Sequence, residues 1–277
     1  MRTGGQAALA LLCAATLTLG ACRQASADGK GDGVDNMAAA RFVDRMVGTP
    51  LPPPPAKAFL AQDKSDLLDY SYAYPAQAAA IPFLVGKFSK EQAQSKADAV
   101  KLARDDQASA AASGFPFRGH SLDTKWVVAG DTPRFLSLRS ETYVFTGGAH
   151  GMTGYDSLLW DKARKRETSV KAVMTSPAAF SAAIRDRFCT ELDRQRSEKR
   201  GEPVVPGDDD FTKCIDPMEQ VLAFTSRDGK LIDGATVIVG PYSAGPYSEG
   251  SYDIALPVDA AMRAAIKTEY QDGFAAP

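Results

Sequence analysis

Histidine is nearly missing from this chain: 277 residues hold only His120 and His150. Cysteine is scarce as well, at four, and tryptophan at two. Neither residue type falls at zinc-ligand spacing, so no metal and no other cofactor is expected. Neither sign of charge dominates, since 32 basic and 34 acidic side chains leave a net charge of −2. No basic stripe marks a nucleic-acid surface, and nucleic acid is not among the expected partners. The motifs G-x-S-x-G and H-E-x-x-H and the phosphate loop are all absent. We therefore expect no catalytic residue and no enzyme.

What is present begins at the N-terminus. Arg2 precedes an apolar run from Ala7 to Gly20. The run is shorter than the about 20 residues a membrane span needs and matches the core of a secretory signal peptide. It ends in Leu19-Gly20-Ala21-Cys22, which resembles the lipobox of bacterial lipoproteins. The resemblance implies that the Cys22 thiol carries lipid and becomes the new N-terminus. Several acyl chains, at about 0.8 kcal/mol per buried methylene, would hold the protein firmly to a membrane. Arg23, where an aspartate would retain a lipoprotein at the inner membrane by enterobacterial sorting rules, points to the outer membrane, facing the periplasm.

Two cysteines remain beyond the signal and the lipid, Cys189 and Cys214. They are either buried thiols or a disulfide, and the oxidising compartment favours the disulfide. The bridge would close a loop of about 25 residues, worth roughly 3 kcal/mol in the chain-entropy model.

The expected organisation has four parts: a signal peptide over 1–21, a lipidated flexible and proline-rich tether over 22–64, and α+β subdomains over 65–175 and 176–277 that form one continuous module. Residues 23–36 are small, polar and glycine-rich, and Pro52 to Pro55 form a stiff spacer. A short helix over 37–47 lies between them. Tyr70, Tyr72 and Tyr74 alternate, as on a strand with one aromatic face. Ser89 with Gln92 reads as a capping box opening a helix to about Ala112. Strands are expected over 122–129, 134–146 and 154–160, with a short strand or an extended segment over 168–173. Ser176-Pro177 starts a second long helix, which ends in the charge run DRQRSEKR, expected to be an exposed helix face. Strands at 221–225, 231–239 and 251–256 precede a final helix to about Tyr270. The fold class is α+β: antiparallel sheet or sheets, two long helices packed on the strands, and a short C-terminal helix.

Two glycine-rich stretches stand out. Thr146-Gly147-Gly148-Ala149-His150-Gly151 turns between two strands, with Tyr155 on the second. Val239 to Gly250 repeats Gly-Pro-Tyr, at 240–242 and 245–247. Proline fixes φ and glycine permits positive φ, so Tyr242 and Tyr247 are presented on a tightly turned backbone. Tyrosine offers large contact area at low entropic cost. The candidate binding residues are Thr146, Gly147, Gly148, His150, Tyr155, Pro241, Tyr242, Gly245 and Tyr247. A carboxylate pair at Glu249 and Asp253 is a weaker candidate, because loop carboxylates are usually solvated.

The T-G-G-A-H-G turn, followed by the segment holding Gly240, Pro241, Tyr242, Ala244 and Gly245, resembles the extracellular domain family shared by the RsiV anti-sigma factor and the PdaC peptidoglycan deacetylase. The Tyr-x-Tyr-Pro strand at 72–75 and the helix after it fall in the same order, so the resemblance spans roughly 65–270. It implies binding, because in the anti-sigma factor this domain engages lysozyme. The expected function is a non-enzymatic cell-envelope lipoprotein that binds a cell-wall-associated partner, peptidoglycan or a lysozyme-like muramidase. Two alternatives stand beside it: an enzyme acting on wall glycans with His150 as base, and a structural or assembly lipoprotein of the envelope.

Overall fold

The computed structural model describes residues 55–277. The signal peptide over 1–21, Cys22, the helix expected over 37–47 and most of the tether lie outside the described residues. The described chain is α+β. A six-stranded sheet holds β1 (Phe59–Lys64), β2 (Leu68–Tyr74), β3 (His120–Asp131), β4 (Phe135–Phe145), β5 (Met152–Asp161) and β6 (Arg166–Thr168) in sequence order. A three-stranded sheet holds β7 (Val221–Thr225), β8 (Gly234–Val239) and β9 (Tyr252–Pro257). The short helix α1 (Ala76–Ala79) precedes the 31-residue α2 (Pro82–Ala112), which connects β2 to β3. α3 (Val170–Val173) precedes α4 (Pro177–Arg200), and α5 (Ala260–Ala264) follows β9.

Five expectations are corrected. Residues 59–64 are not tether but strand β1, paired antiparallel with β2 from Phe59↔Tyr74 to Lys64↔Asp69. The sheet is not wholly antiparallel, because β2 and β3 run parallel. A parallel pair needs a long crossover, and α2 supplies it. That helix opens at Pro82, not Ser89: Ile81 is extended at the N-cap and Pro82 takes the first turn, where a missing N–H is harmless. Ser89 and Gln92 lie inside the helix, so their capping-box spacing is incidental. The C-terminal helix stops at Ala264, and strand β6 ends at Thr168 and gives way to helix α3 where a short strand or an extended segment was expected. Residues 268–273 form a 3-10 turn instead.

The apolar residues form two bodies on opposite faces of β4 and β5. Strand side chains alternate between faces. Leu136, Leu138, Leu158 and Trp160 therefore join Tyr70, Tyr72 and Tyr74 under Leu84 and Phe88 of α2. Phe135 and Leu159 point the other way, into the core of the three-stranded sheet and α4. The tyrosine stripe is core: Tyr70 and Tyr72 are 2% exposed and send their hydroxyls to the Gln92 carbonyl and the Glu91 carboxylate, both at 3.1 Å. Burial, with the neighbouring Glu91 charge second, pushes the Tyr72 phenol well above its ordinary value.

α4 does more than cover the core. β9 is an edge strand, and its outward carbonyls would be open to a foreign strand. Lys199 donates to the Ser251 carbonyl, Gln195 to that of Asp253 at 2.9 Å and Arg187 to that of Pro257 at 2.9 Å. The three donors sit on one helix face, at spacings of four and eight. The DRQRSEKR run is thus not simply an exposed face. Arg196, within it, is fully buried.

Candidate binding surface

The β4–β5 hairpin sets the first half of the site. Its register runs from Phe135↔Asp161 to Val144↔Met152, leaving Phe145 to Gly151 to make the turn. Gly147 and Gly148 take φ of 96° and 85°, a region that side chains with a Cβ rarely adopt. Gly151 is required for space: a Cβ there would enter the Tyr143 ring. His150 projects from this turn. Its Nδ1 lies 2.9 Å from the Gly151 carbonyl, which can only accept, so Nδ1 carries the proton in the neutral ring. Nε2 is left as the acceptor.

The connection between β8 and β9 supplies the second half. Tyr247 stacks on the His150 ring, with centroids 3.8 Å apart and planes at 17°. Tyr242, at φ 67°, stands 50% exposed beside both, 6.5 Å from His150 and 5.7 Å from Tyr247 between centroids. Its hydroxyl reaches His150 Nε2 at 3.5 Å. The two glycine-rich stretches, some 90 residues apart, therefore meet in one solvent-facing aromatic group. A positive φ at a tyrosine is strained, and such strain persists only where surroundings fix it.

The remaining candidates have other placements. Tyr155 lies under Gly240, where an added Cβ would meet its ring at 3.8 Å. Burial raises the Tyr155 phenol above its ordinary value. Gly245 packs against Glu249 and the Tyr252 hydroxyl inside the loop, so its role is space, not contact with a ligand. Pro241 sets the turn before Tyr242. Thr146, Gly147 and Gly148 line a separate cleft, to which His150, Tyr242 and Tyr247 do not contribute. Asp253 pairs with Arg139 at 2.6 Å, and Glu249 is not solvated but half of an internal ion pair with Arg200 at 2.9 Å.

The charges that hold the loop were not read from the sequence. Buried Arg196 donates to the Ala244 carbonyl at 2.9 Å, to Asp193 at 2.9 Å, and to the Thr212 and Lys213 carbonyls at 3.3 and 3.1 Å. Lys199 bonds the Glu249 carbonyl at 2.6 Å and lies 4.0 Å from the Tyr252 ring centre. Tyr252 donates to Glu249, and its phenol is pushed up to about 12 by burial and by that carboxylate. Their signal was only the density of arginine and lysine at a helix end. Cys189 and Cys214 are joined, with Cα atoms 5.4 Å apart, which ties the segment after α4 back onto the helix.

Glu249 makes the loop acid-sensitive. Burial opposes ionisation, but Arg200 and the Tyr252 hydroxyl outweigh it and hold the carboxyl below its ordinary 4.5. A depressed carboxylate contributes stability that is present above the ordinary value and lost as pH falls through the lowered one. The protection factors of the 244–252 amides, each rate referred to the intrinsic rate at its own pH, should hold from neutrality to about pH 4.5 and fall only below it. A fall already at pH 6 would contradict this.

Residues 61–153 match the model of the family described as Deacetylase PdaC. The matched stretch carries the Tyr-x-Tyr-Pro strand, α2 and the T-G-G-A-H-G turn, and it is similar to the PdaC family there, while the Gly240–Gly245 segment lies beyond the matched residues. Two solved structures are among the matches. A DUF3298 family member from Bacteroides fragilis has 15% identity and a TM-score of 0.47, covering 78% of this chain and 95% of that one. A DUF3298 family protein from Pseudomonas aeruginosa has 13% identity and a TM-score of 0.47, covering 80% of this chain and 97% of that one. No curated protein matches the chain.

Proposed function

We propose that this chain is a non-catalytic binding module of the bacterial cell envelope, lipid-anchored through Cys22, that engages a cell-wall-associated partner at the His150–Tyr242–Tyr247 surface. The partner is peptidoglycan or a lysozyme-like muramidase. The observation that carries the reading is the union of the two turns: His150 and Tyr247 stack at 3.8 Å with Tyr242 half exposed beside them. Aromatic side chains fixed by a rigid backbone bind at low entropic cost and are enriched among residues that dominate interfaces. Against a base at His150 stands its setting. Its ring nitrogens meet a backbone carbonyl and a phenol, and no carboxylate orients it among the described residues.

Purified mature protein passed over peptidoglycan and over immobilised lysozyme tests this. We expect retention on one of the two, and Tyr247→Ala to weaken it at least tenfold, as for a central interface aromatic. Retention on neither removes both partners. Acetate or sugar release from peptidoglycan that His150→Ala abolishes would instead establish the enzyme.

A further inference from the structure

An open cleft of about 670 Å³ lies beside the 146–148 turn. Small-ligand sites commonly span roughly 300–1,000 Å³. Its walls come from the end of α2, from the 115–118 connection and from the hairpin turn, and it uses none of the His150 aromatic group. The chain's other histidine lines it. The His120 ring is 3% exposed, with Nε2 3.1 Å from an Asp106 carboxylate oxygen and the Phe117 ring 5.6 Å away between centroids. Asp106 therefore both orients the imidazole and offsets any charge it gains.

Arg118 is left over. Its guanidinium has one contact, a long one to the Gly148 carbonyl at 3.4 Å, and no carboxylate lies within ion-pairing distance of it among the described residues. Among the lining side chains, Arg118 is thus the cation without a carboxylate partner. A dianion such as phosphate would bring two negative charges to one guanidinium in a lining that also holds the half-exposed Asp106 carboxylate. A monoanionic carboxylate matches both the charge and the two-pronged donor geometry of arginine. Beside Arg118, Phe115 is 71% exposed, and Ala110 continues an apolar wall. That wall favours a carboxylate borne on a small apolar group, and the Ser109 and Thr146 hydroxyls at the rim suit amides next to it.

We propose that this cleft binds the end of a short peptide carrying a free carboxylate, with Arg118 holding the carboxylate and Phe115 covering the terminal side chain. The proposal rests on the cell-wall reading above, because the peptide branches of peptidoglycan end in this chemistry. It adds a second contact point, one turn away from the aromatic surface.

The test is an NMR titration of the isotope-labelled mature protein with N-acetyl-alanyl-alanine, with its C-terminal amide and with inorganic phosphate. The expected result is a saturable shift of the His120 ring signals, with those of His150 unmoved. The amide should bind about tenfold more weakly or worse, as should the dipeptide to Arg118→Gln, from loss of a charge-assisted hydrogen bond. Arg118→Lys, which keeps the charge and loses the fork, should fall between. Arg118 is exposed, so these variants keep the fold. An amide that binds as tightly, an Arg118→Gln protein that binds unchanged, phosphate preferred over the dipeptide, or no saturable shift would each overturn the proposal. Failure here with Tyr247-dependent retention on peptidoglycan intact removes only the cleft. Dipeptide binding without any peptidoglycan retention removes only the wider reading.

Discussion

Arg196→Ala should destabilise the protein by about 3–5 kcal/mol, the range seen when one member of a buried charged pair is removed. The side chain has no exposed surface and sits where three segments converge. It bonds Asp193 on its own helix, the Thr212 and Lys213 carbonyls beside the disulfide, and the Ala244 carbonyl at the centre of the tyrosine loop. Truncation leaves the Asp193 carboxylate without its partner and three carbonyls unpaired, each a desolvation cost no longer compensated. The loss should be local as well as global. Urea unfolding reads the stability change, and hydrogen exchange should show the 240–250 amides opening first. A change under about 1 kcal/mol would mean that water replaces the guanidinium at no cost, and would contradict its role as the joint between the loops.

Replacing both Cys189 and Cys214 by serine should cost roughly 3 kcal/mol, the chain-entropy value for a loop of this length. The bridge spans 25 residues and fastens the segment carrying Thr212 and Lys213 to α4. Because those two carbonyls accept from Arg196, the disulfide and the arginine share a network, and their effects should not add. A double-mutant cycle in urea should show the combined loss falling at least about 0.5 kcal/mol short of the sum. Strict additivity would show that the bridge acts on the unfolded chain alone and leaves Arg196 untouched. The same replacement should leave β2, α2 and the tyrosine stripe protected, since they belong to the other apolar body.

The fold was legible where chemistry is local. Alternating tyrosines marked β2, the Ser176-Pro177 start marked α4, and the glycine-rich turn marked the β4–β5 hairpin. The cysteine pair was legible because only two cysteines were left to join. What stayed hidden was long-range. Nothing in FLAQDK separates an edge strand from a tether, because β1 is specified by its pairing with β2. Capping-box spacing at Ser89 misled because helix α2 already had a proline start seven residues earlier. The arginines and lysines at the end of α4 looked like a solvated face, since composition cannot tell which charges a loop will cover. The same holds for the site. His150, Tyr242 and Tyr247 were each visible as rare or repeated residues, yet their stacking follows from tertiary packing. His120, Asp106 and Arg118 come from a helix end and a connection, and no spacing links them.

The claim that two separate turns act as one surface is tested most directly by a double-mutant cycle on His150→Ala and Tyr247→Ala, read as affinity for whichever of peptidoglycan and lysozyme retains the protein. If the stacked rings form one contact, either single substitution removes most of it, and the double variant should bind within about threefold of the weaker single. Losses that multiply, so that two tenfold defects become about a hundredfold one, would show two independent contacts and contradict the shared surface.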